Sequence, residues 1–229
     1  MTARSSRSDS LQWSSPLRSG AAAVGGAAKR ALDLAIAVPL TVILAPVLLI
    51  VAIAVRRDSP GPALFRQERI GLNGRPFTLL KFRTMVLGAQ SMGTGLKVTD
   101  GDSRITPLGQ RLRRLSIDEL PQLWNVVRGD MSVIGPRPTV AAQVAKYDAH
   151  QRRRLLARPG VTGWAQVNGR NAIPWSHRIE LDIEYVERWS MMMDLKILLK
   201  TAFVVFGREN TYTGEEGAFD LTDRGPKAD

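Results

Sequence analysis

The longest apolar run in the chain covers residues 34–55, 22 positions without a single charge. At a rise of about 1.5 Å per residue, a helix of that length matches a hydrocarbon core of about 30 Å. Two prolines, Pro39 and Pro46, fall inside the run, and Pro46 lies near its middle. Proline removes a helical hydrogen bond and crowds the preceding turn, so a bend or break is expected there. Lys29 and Arg30 precede the run and Arg56 and Arg57 follow it. Basic residues at both ends give the positive-inside rule no direction. The pattern predicts a segment that enters the membrane and returns, over residues 29–57, with a kinked single-pass anchor as the alternative. Asp33, three residues after Arg30, is placed to pair with it or to act as a helix-start acid.

Ser59-Pro60-Gly61-Pro62 ends this segment. Residues 63–70 and 76–85 then flank the turn Leu72-Asn73-Gly74-Arg75, which reads as a β-hairpin. Alternation puts Phe77, Leu79, Lys81 and Arg83 on one face, the two cations reaching a phosphate or forming a solvated strand end. Residues 88–102 are Gly-rich and polar, as in a mobile loop. A helical period returns over 105–115. Ser116-Ile117-Asp118-Glu119 matches a capping box, in which Glu119 bonds only the backbone of Ser116. The competing helix start places Pro121 at the first helical position and leaves both acids in the preceding turn. A mixed helix follows to about residue 156, then Pro159-Gly160 and a strand or turn over 161–170 that directs Gln166, Asn168 and Arg170 into a site. Residues 176–188 form an amphipathic helix carrying Asp182, a solvent-facing acid or a metal ligand. Residues 194–206 are strongly apolar with lysines four apart, which suits an interfacial helix or a core helix.

The fold class expected is α+β and mostly helical. A re-entrant, helix-break-helix membrane segment joins a small cytosolic catalytic domain over 58–209, with a β-hairpin and interfacial amphipathic helices. Residues 1–28, without apolar period, are expected to be disordered, and 210–229 to form a flexible tail.

A net charge of +11 and a pI near 10.8 call for an anionic partner. Aromatic side chains are not interleaved with the basic ones, and a long apolar run has no place in a nucleic-acid-binding protein. The chain lacks cysteine and has two histidines, which leaves an oxygen-ligated cation such as Mg2+ as the plausible metal. The strongest candidate chemistry lies in LSIDELPQLWNVVRGDMSVIGPRP. Here Asp118 and Glu119 stand at a helix start, Arg128 follows in a turn, and two prolines fix the backbone around Arg137. Arg104, Arg111, Arg113 and Arg114 crowd the approach. Carboxylates surrounded by base suit a phosphorylated substrate. Trp189 and Met191-Met192-Met193 offer apolar surface to a homodimer partner or to the membrane equally.

KRALDLAIA, KFRTM, the SIDELPQLWNVVRGDMSVIGPRP segment, RPGVTGWAQVNGR and ELDIEYVERWS together resemble the bacterial sugar transferase family, the small monotopic phosphoglycosyl transferases. The resemblance covers residues 29–209. It implies transfer of a sugar-1-phosphate from a UDP-sugar to polyprenyl (undecaprenyl) phosphate with release of UMP. The setting it implies is the cytoplasmic face of the bacterial inner membrane, at the first step of lipid-linked glycan assembly. Asp118 matches the family's nucleophile and Glu119 its catalytic partner. Lys81, Arg104, Arg114, Arg128, Arg137 and Asp182 fall in shared motifs as candidate phosphate or metal contacts, with Mg2+ at Asp118 and Asp182. The family breaks its membrane helix at Ser-Pro, whereas this chain has Ala45-Pro46 and must rely on the proline alone.

Overall fold

A computed structural model of the chain describes residues 24–92, 101–169 and 173–206, with side chains as far as residue 203. The apolar run forms helix α1, Gly26–Asp58, which continues as one helix through both Pro39 and Pro46. The expected helix-break-helix is therefore not seen as an interruption. Each proline deletes one donor while its fixed φ remains helical, so the neighbouring bonds carry the ladder across. Thr41 Oγ1 donates to the Ala37 carbonyl at 2.7 Å.

One stripe of α1 faces the rest of the protein along its whole length. Lys29, Asp33, Ala37 and Val55 are buried on it. Leu44 packs on one core cluster, and Leu48, Val51 and Ala52 pack on another. The spacing of three and four residues is that of one helical face. The opposite face is apolar and open, with Val42 and Ile43 each 69% exposed. The expected Arg30–Asp33 pair does not form. Arg30 donates to the Val126 and Val127 carbonyls, while Asp33 accepts from Ser132 Oγ and the Val133 amide.

The hairpin forms as expected. Strands β1 (Leu64–Ile70) and β2 (Pro76–Phe82) pair antiparallel, with Ile70 opposite Pro76. Asn73 takes φ 54° and Gly74 φ 78°, the left-handed pair that a tight hairpin turn demands. Helix α2 (Pro107–Arg114) follows, capped by the Thr106 hydroxyl, which accepts from the Gly109 amide. Gly109 is glycine for packing, since a Cβ there would lie 2.1 Å from the Thr84 carbonyl at the end of β2.

Helix α3 (Gln122–Arg128) leads to β3 (Ser132–Ile134), which pairs in parallel with β4 (Gly160–Thr162). The single helix expected up to residue 156 is instead a short helix α4, Ala141–Val144, and a separate 3-10 stretch, Gln151–Leu156. Helices α5 (Trp164–Val167), α6 (Trp175–Glu187) and α7 (Met191–Phe206) complete the described fold. The main core gathers Leu79, Val126, Met131, Ile134, Tyr185 and Ile197, with Ala37 of α1 among them.

Beneath that core, Asp194 at the start of α7 is fully buried. It accepts from Lys29 Nζ at 2.8 Å, the Tyr185 hydroxyl at 2.8 Å and Trp189 Nε1 at 3.1 Å. This cluster binds α1 to α7 and turns part of Trp189 inward. Met191, Met192, Leu195, Leu199 and Phe203 remain exposed along α7. Lys196 and Lys200 lie over the Trp164 ring at 5.1 and 4.9 Å. Of the expected tails, residues 1–23 and 210–229 lie outside the described residues, as do 207–209 and the centre of the expected loop, residues 93–100, whereas Gly26 to Ala28, expected to be disordered, already belong to α1.

Candidate active site

The two acids stand on a 3-10 turn, Ile117–Glu119, between α2 and α3. The capping box does not form. Ser116 adopts φ 55°, its side chain makes no cap bond, and α3 starts after Pro121. That left-handed residue reverses the chain as it leaves α2 and frees both carboxylates for the interior.

Glu119 is held from two sides. Lys81 Nζ donates to its Oε1 at 2.7 Å, and Arg137 Nη2 donates to the same oxygen at 2.9 Å. Burial raises the pKa of Glu119, but the charges and hydrogen bonds of Arg137 and Lys81 outweigh it and hold the carboxyl well below the usual range. Asp118 differs. It is only 6% exposed, and among the described residues it has no hydrogen bond or ion pair. Burial pushes its pKa up, against the charge of Lys81; the neighbouring Glu119 raises it further, while Arg113 and Arg137 oppose the rise. One carboxylate is held by two cations on a single oxygen, and its neighbour is nearly enclosed with both oxygens unclaimed.

Arg137 is fixed from behind. Its carbonyl accepts from Arg154 Nη2, and Arg154 also donates to the Tyr147 hydroxyl at 2.6 Å and to Asp182 Oδ2. Close backbone packing holds the Gly135-Pro136-Arg137-Pro138 loop against β4. A Cβ on Gly135 would meet the Arg158 carbonyl at 2.2 Å.

Of the residues expected from sequence, Lys81, Asp118, Glu119 and Arg137 come together. Arg113, noted there only among the approaching arginines, joins them: its charge acts on Asp118, and its Nε donates to Thr84 Oγ1 at 2.8 Å. The reversal at Ser116 turns the acid turn back toward Arg113, while Arg111 and Arg114 lie on another face of α2. Arg114 is exposed beyond this cluster.

Other candidates are placed differently. Arg83, expected near a phosphate, donates instead to the Val55, Ser59 and Pro60 carbonyls where α1 ends. Arg104 grips both oxygens of Asp102 and donates to the Ala89 and Met92 carbonyls, which pins the two ends of the expected loop. Arg128 pairs with Asp130 at 3.5 Å at the end of α3. Asp182, expected at a metal or in solvent, is fully buried against Arg154, with its Oδ1 left without a partner. Asn168 bonds the Trp164 carbonyl and Lys200 Nζ. Gln166 turns inward, and its amide nitrogen and oxygen are buried without partners. Arg170 lies outside the described residues.

Among the described residues no group of three or more acids and histidines forms a metal cage. A hard cation that keeps most of its ligands as water and substrate oxygens needs only one or two carboxylates. The unclaimed oxygens of Asp118 meet that requirement.

Comparisons with known proteins identify the family of the chain. A sequence model described as bacterial sugar transferase matches residues 24–208. An uncharacterized sugar transferase, EpsL, of Bacillus subtilis is 47% identical over 173 residues, covering 76% of this chain and 84% of that protein. The UDP-glucose:undecaprenyl-phosphate glucose-1-phosphate transferase of Caulobacter vibrioides is 46% identical over 192 residues, covering 80% of this chain and 72% of its own length. The undecaprenyl-phosphate galactose phosphotransferase of Salmonella typhimurium is 37% identical over 198 residues, 80% of this chain but 41% of that longer protein.

Proposed function

Since the chain belongs to the bacterial sugar transferase family, we propose that it is a phosphoglycosyl transferase that moves a hexose-1-phosphate from a UDP-sugar to undecaprenyl phosphate. The names of its relatives support donors of the UDP-glucose and UDP-galactose type. The observation that carries the reading is the inequality of the two acids: Asp118 enclosed and unclaimed, Glu119 neutralised by Lys81 and Arg137.

An unclaimed Asp118 oxygen attacks the β-phosphorus of the donor. A carboxylate–phosphorus bond forms, the bond to the bridging oxygen breaks, and UMP departs with that electron pair. The phosphate of the acceptor lipid then attacks the same phosphorus, and Asp118 leaves as a carboxylate. Lys81, Arg113 and Arg137 supply positive charge around a transition state that gathers negative charge on phosphoryl oxygens. Mg2+ bound by Asp118 and the donor's diphosphate would add charge neutralisation to that of the side chains. Asp182 serves by holding Arg154, and through it the carbonyl of Arg137. Glu119 keeps Lys81 and Arg137 converged; its low proton affinity suits an anchor for cations better than a general base.

We place α1 in the membrane as a re-entrant element on the cytoplasmic face. Support comes from its two ends, which both rest on the same domain. Asp33 is bonded to Ser132 and Val133, and Val55 packs against Phe82 and Leu112. The exposed apolar side of α7 suits the interface.

The deciding experiment is intact-mass analysis of the protein in nanodiscs with Mg2+ and UDP-glucose or UDP-galactose, without acceptor. The expected result is a hexose-phosphate adduct on Asp118 that Asp118→Asn abolishes. UMP formed only with acceptor present, and never an adduct, would replace the covalent route by direct transfer.

A further inference from the structure

We propose that Asn125 is a positioning residue that sets Lys81 against the acid pair by completing the open edge of β2. The inference rests on the transfer reading above, in which Lys81 belongs to the reacting site.

Among the described residues the hairpin sheet has only two strands, so one edge of β2 has no strand beside it. The Thr78 carbonyl and Leu80 amide face that edge. Asn125, with no exposed surface, fills the gap: its Oδ1 accepts from the Leu80 amide at 3.0 Å and its Nδ2 donates to the Thr78 carbonyl at 2.7 Å. A donor and an acceptor meeting the groups on either side of Leu79 reproduce the N–H and C=O that one residue of a neighbouring strand would present. Only a primary amide offers that pair, and glutamine would carry it one methylene too far.

The joint lies between the partners it must align. Lys81 follows Leu80 directly, and Asn125 stands six residues after Glu119 on the helix that grows from the acid turn. Asn125 is itself held rigidly. Its carbonyl accepts from the Asp130 and Met131 amides at 3.0 and 3.2 Å, and its Nδ2 lies 3.3 Å from Asp130 Oδ2. Strand and acid turn are thus locked at a single register, and the 2.7 Å contact between Lys81 and Glu119 follows from it. Without the amide, the Thr78 carbonyl and the Leu80 amide lose their part-buried partner, and the strand has no reason to keep that register.

Two measurements on protein in nanodiscs test this. The first is the rate of reductive methylation of Lys81, read by peptide mass spectrometry with Lys146 as internal reference. Asn125→Ala should raise it several-fold relative to wild type, whether or not the protein turns over. The second is UMP release with donor and acceptor. Asn125→Ala should lower kcat on the order of 10- to 100-fold, and Asn125→Ala/Lys81→Ala should be no slower than Lys81→Ala alone, because both act through one contact. Asn125→Asp, nearly isosteric but unable to donate to Thr78, carries both measurements if the alanine variant does not fold. Unchanged Lys81 reactivity, or losses that multiply in the double variant, would overturn the inference. A wild-type protein that releases no UMP would instead overturn the transfer reading, while the labelling result would still decide whether Asn125 positions Lys81.

Discussion

Two adjacent carboxylates sharing one turn would repel each other in an apolar site; here the surroundings drive their proton affinities apart. Glu119 has two cations on one oxygen and remains ionised, whereas Asp118 is pushed up by burial, with Lys81 as its main opposing charge. A nucleophilic Asp118 must be deprotonated, so the rate should fall as pH drops through its raised pKa, at a pH above that of an ordinary aspartate. Lys81→Ala removes the main opposing charge and should move this acid limb to higher pH; a pH–rate profile of UMP release in both proteins measures it. An unmoved limb would mean that Asp118 does not set it. At this scale the sequence was informative about identity and poor about partners. Lys81, Asp118, Glu119 and Arg137 could be read from their motifs, but the capping-box pattern around Ser116 pointed the wrong way. The left-handed Ser116 is a tertiary choice, and it also hid Arg113, which no helical-face count placed at the site.

Among the elements, β2 shows how one strand serves two tasks. Lys81 reaches the acids, and two residues later Arg83 reaches back to the three carbonyls where α1 ends. Helix ends leave carbonyls without partners, and a buried guanidinium is well suited to collect them. Arg83→Ala should therefore cost about 3 kcal/mol, the order expected when charged hydrogen bonds to buried groups are lost. Arg83→Lys should recover part of that, since an ammonium can donate but not span all three carbonyls. Thermal unfolding in detergent checks both, and equal melting temperatures for wild type and Arg83→Ala would refute the capping role. Alternation predicted Lys81 and Arg83 on one face, but β2 ends at Phe82, and strand periodicity does not reveal that the end of α1 lies beside Arg83. The hairpin, α2, α6 and α7 were legible from local signals. The helix expected up to residue 156 was not, because its residues are divided between a short helix and a 3-10 stretch by contacts distant in sequence.

For the whole molecule the question is how a helix apolar enough to cross a bilayer can serve a site that must meet a soluble nucleotide sugar. Every third or fourth residue of α1, from Lys29 to Val55, turns toward the domain, while Val42, Ile43, Leu49 and Ile50 turn outward. A helix with one end on the far side of a membrane could not keep both Asp33 on Ser132 and Val55 on Leu112. Composition alone left spanning and returning geometries open; the contacts at both ends favour the returning one we propose, and no hydropathy count contains those contacts. The chain has no cysteine, so single cysteines can report its topology. With Ala27→Cys and Asp58→Cys, a membrane-impermeant maleimide should label neither in intact spheroplasts and both after lysis. Ile43→Cys should resist labelling in either preparation, as expected for a side chain within the lipid. Labelling of Ala27→Cys from outside intact cells would show that α1 crosses the membrane. The contacts of Lys29 with Asp194 and of Asp33 with Ser132 would then have to break on insertion, exposing two buried carboxylates, a cost that makes the returning geometry the one these contacts favour.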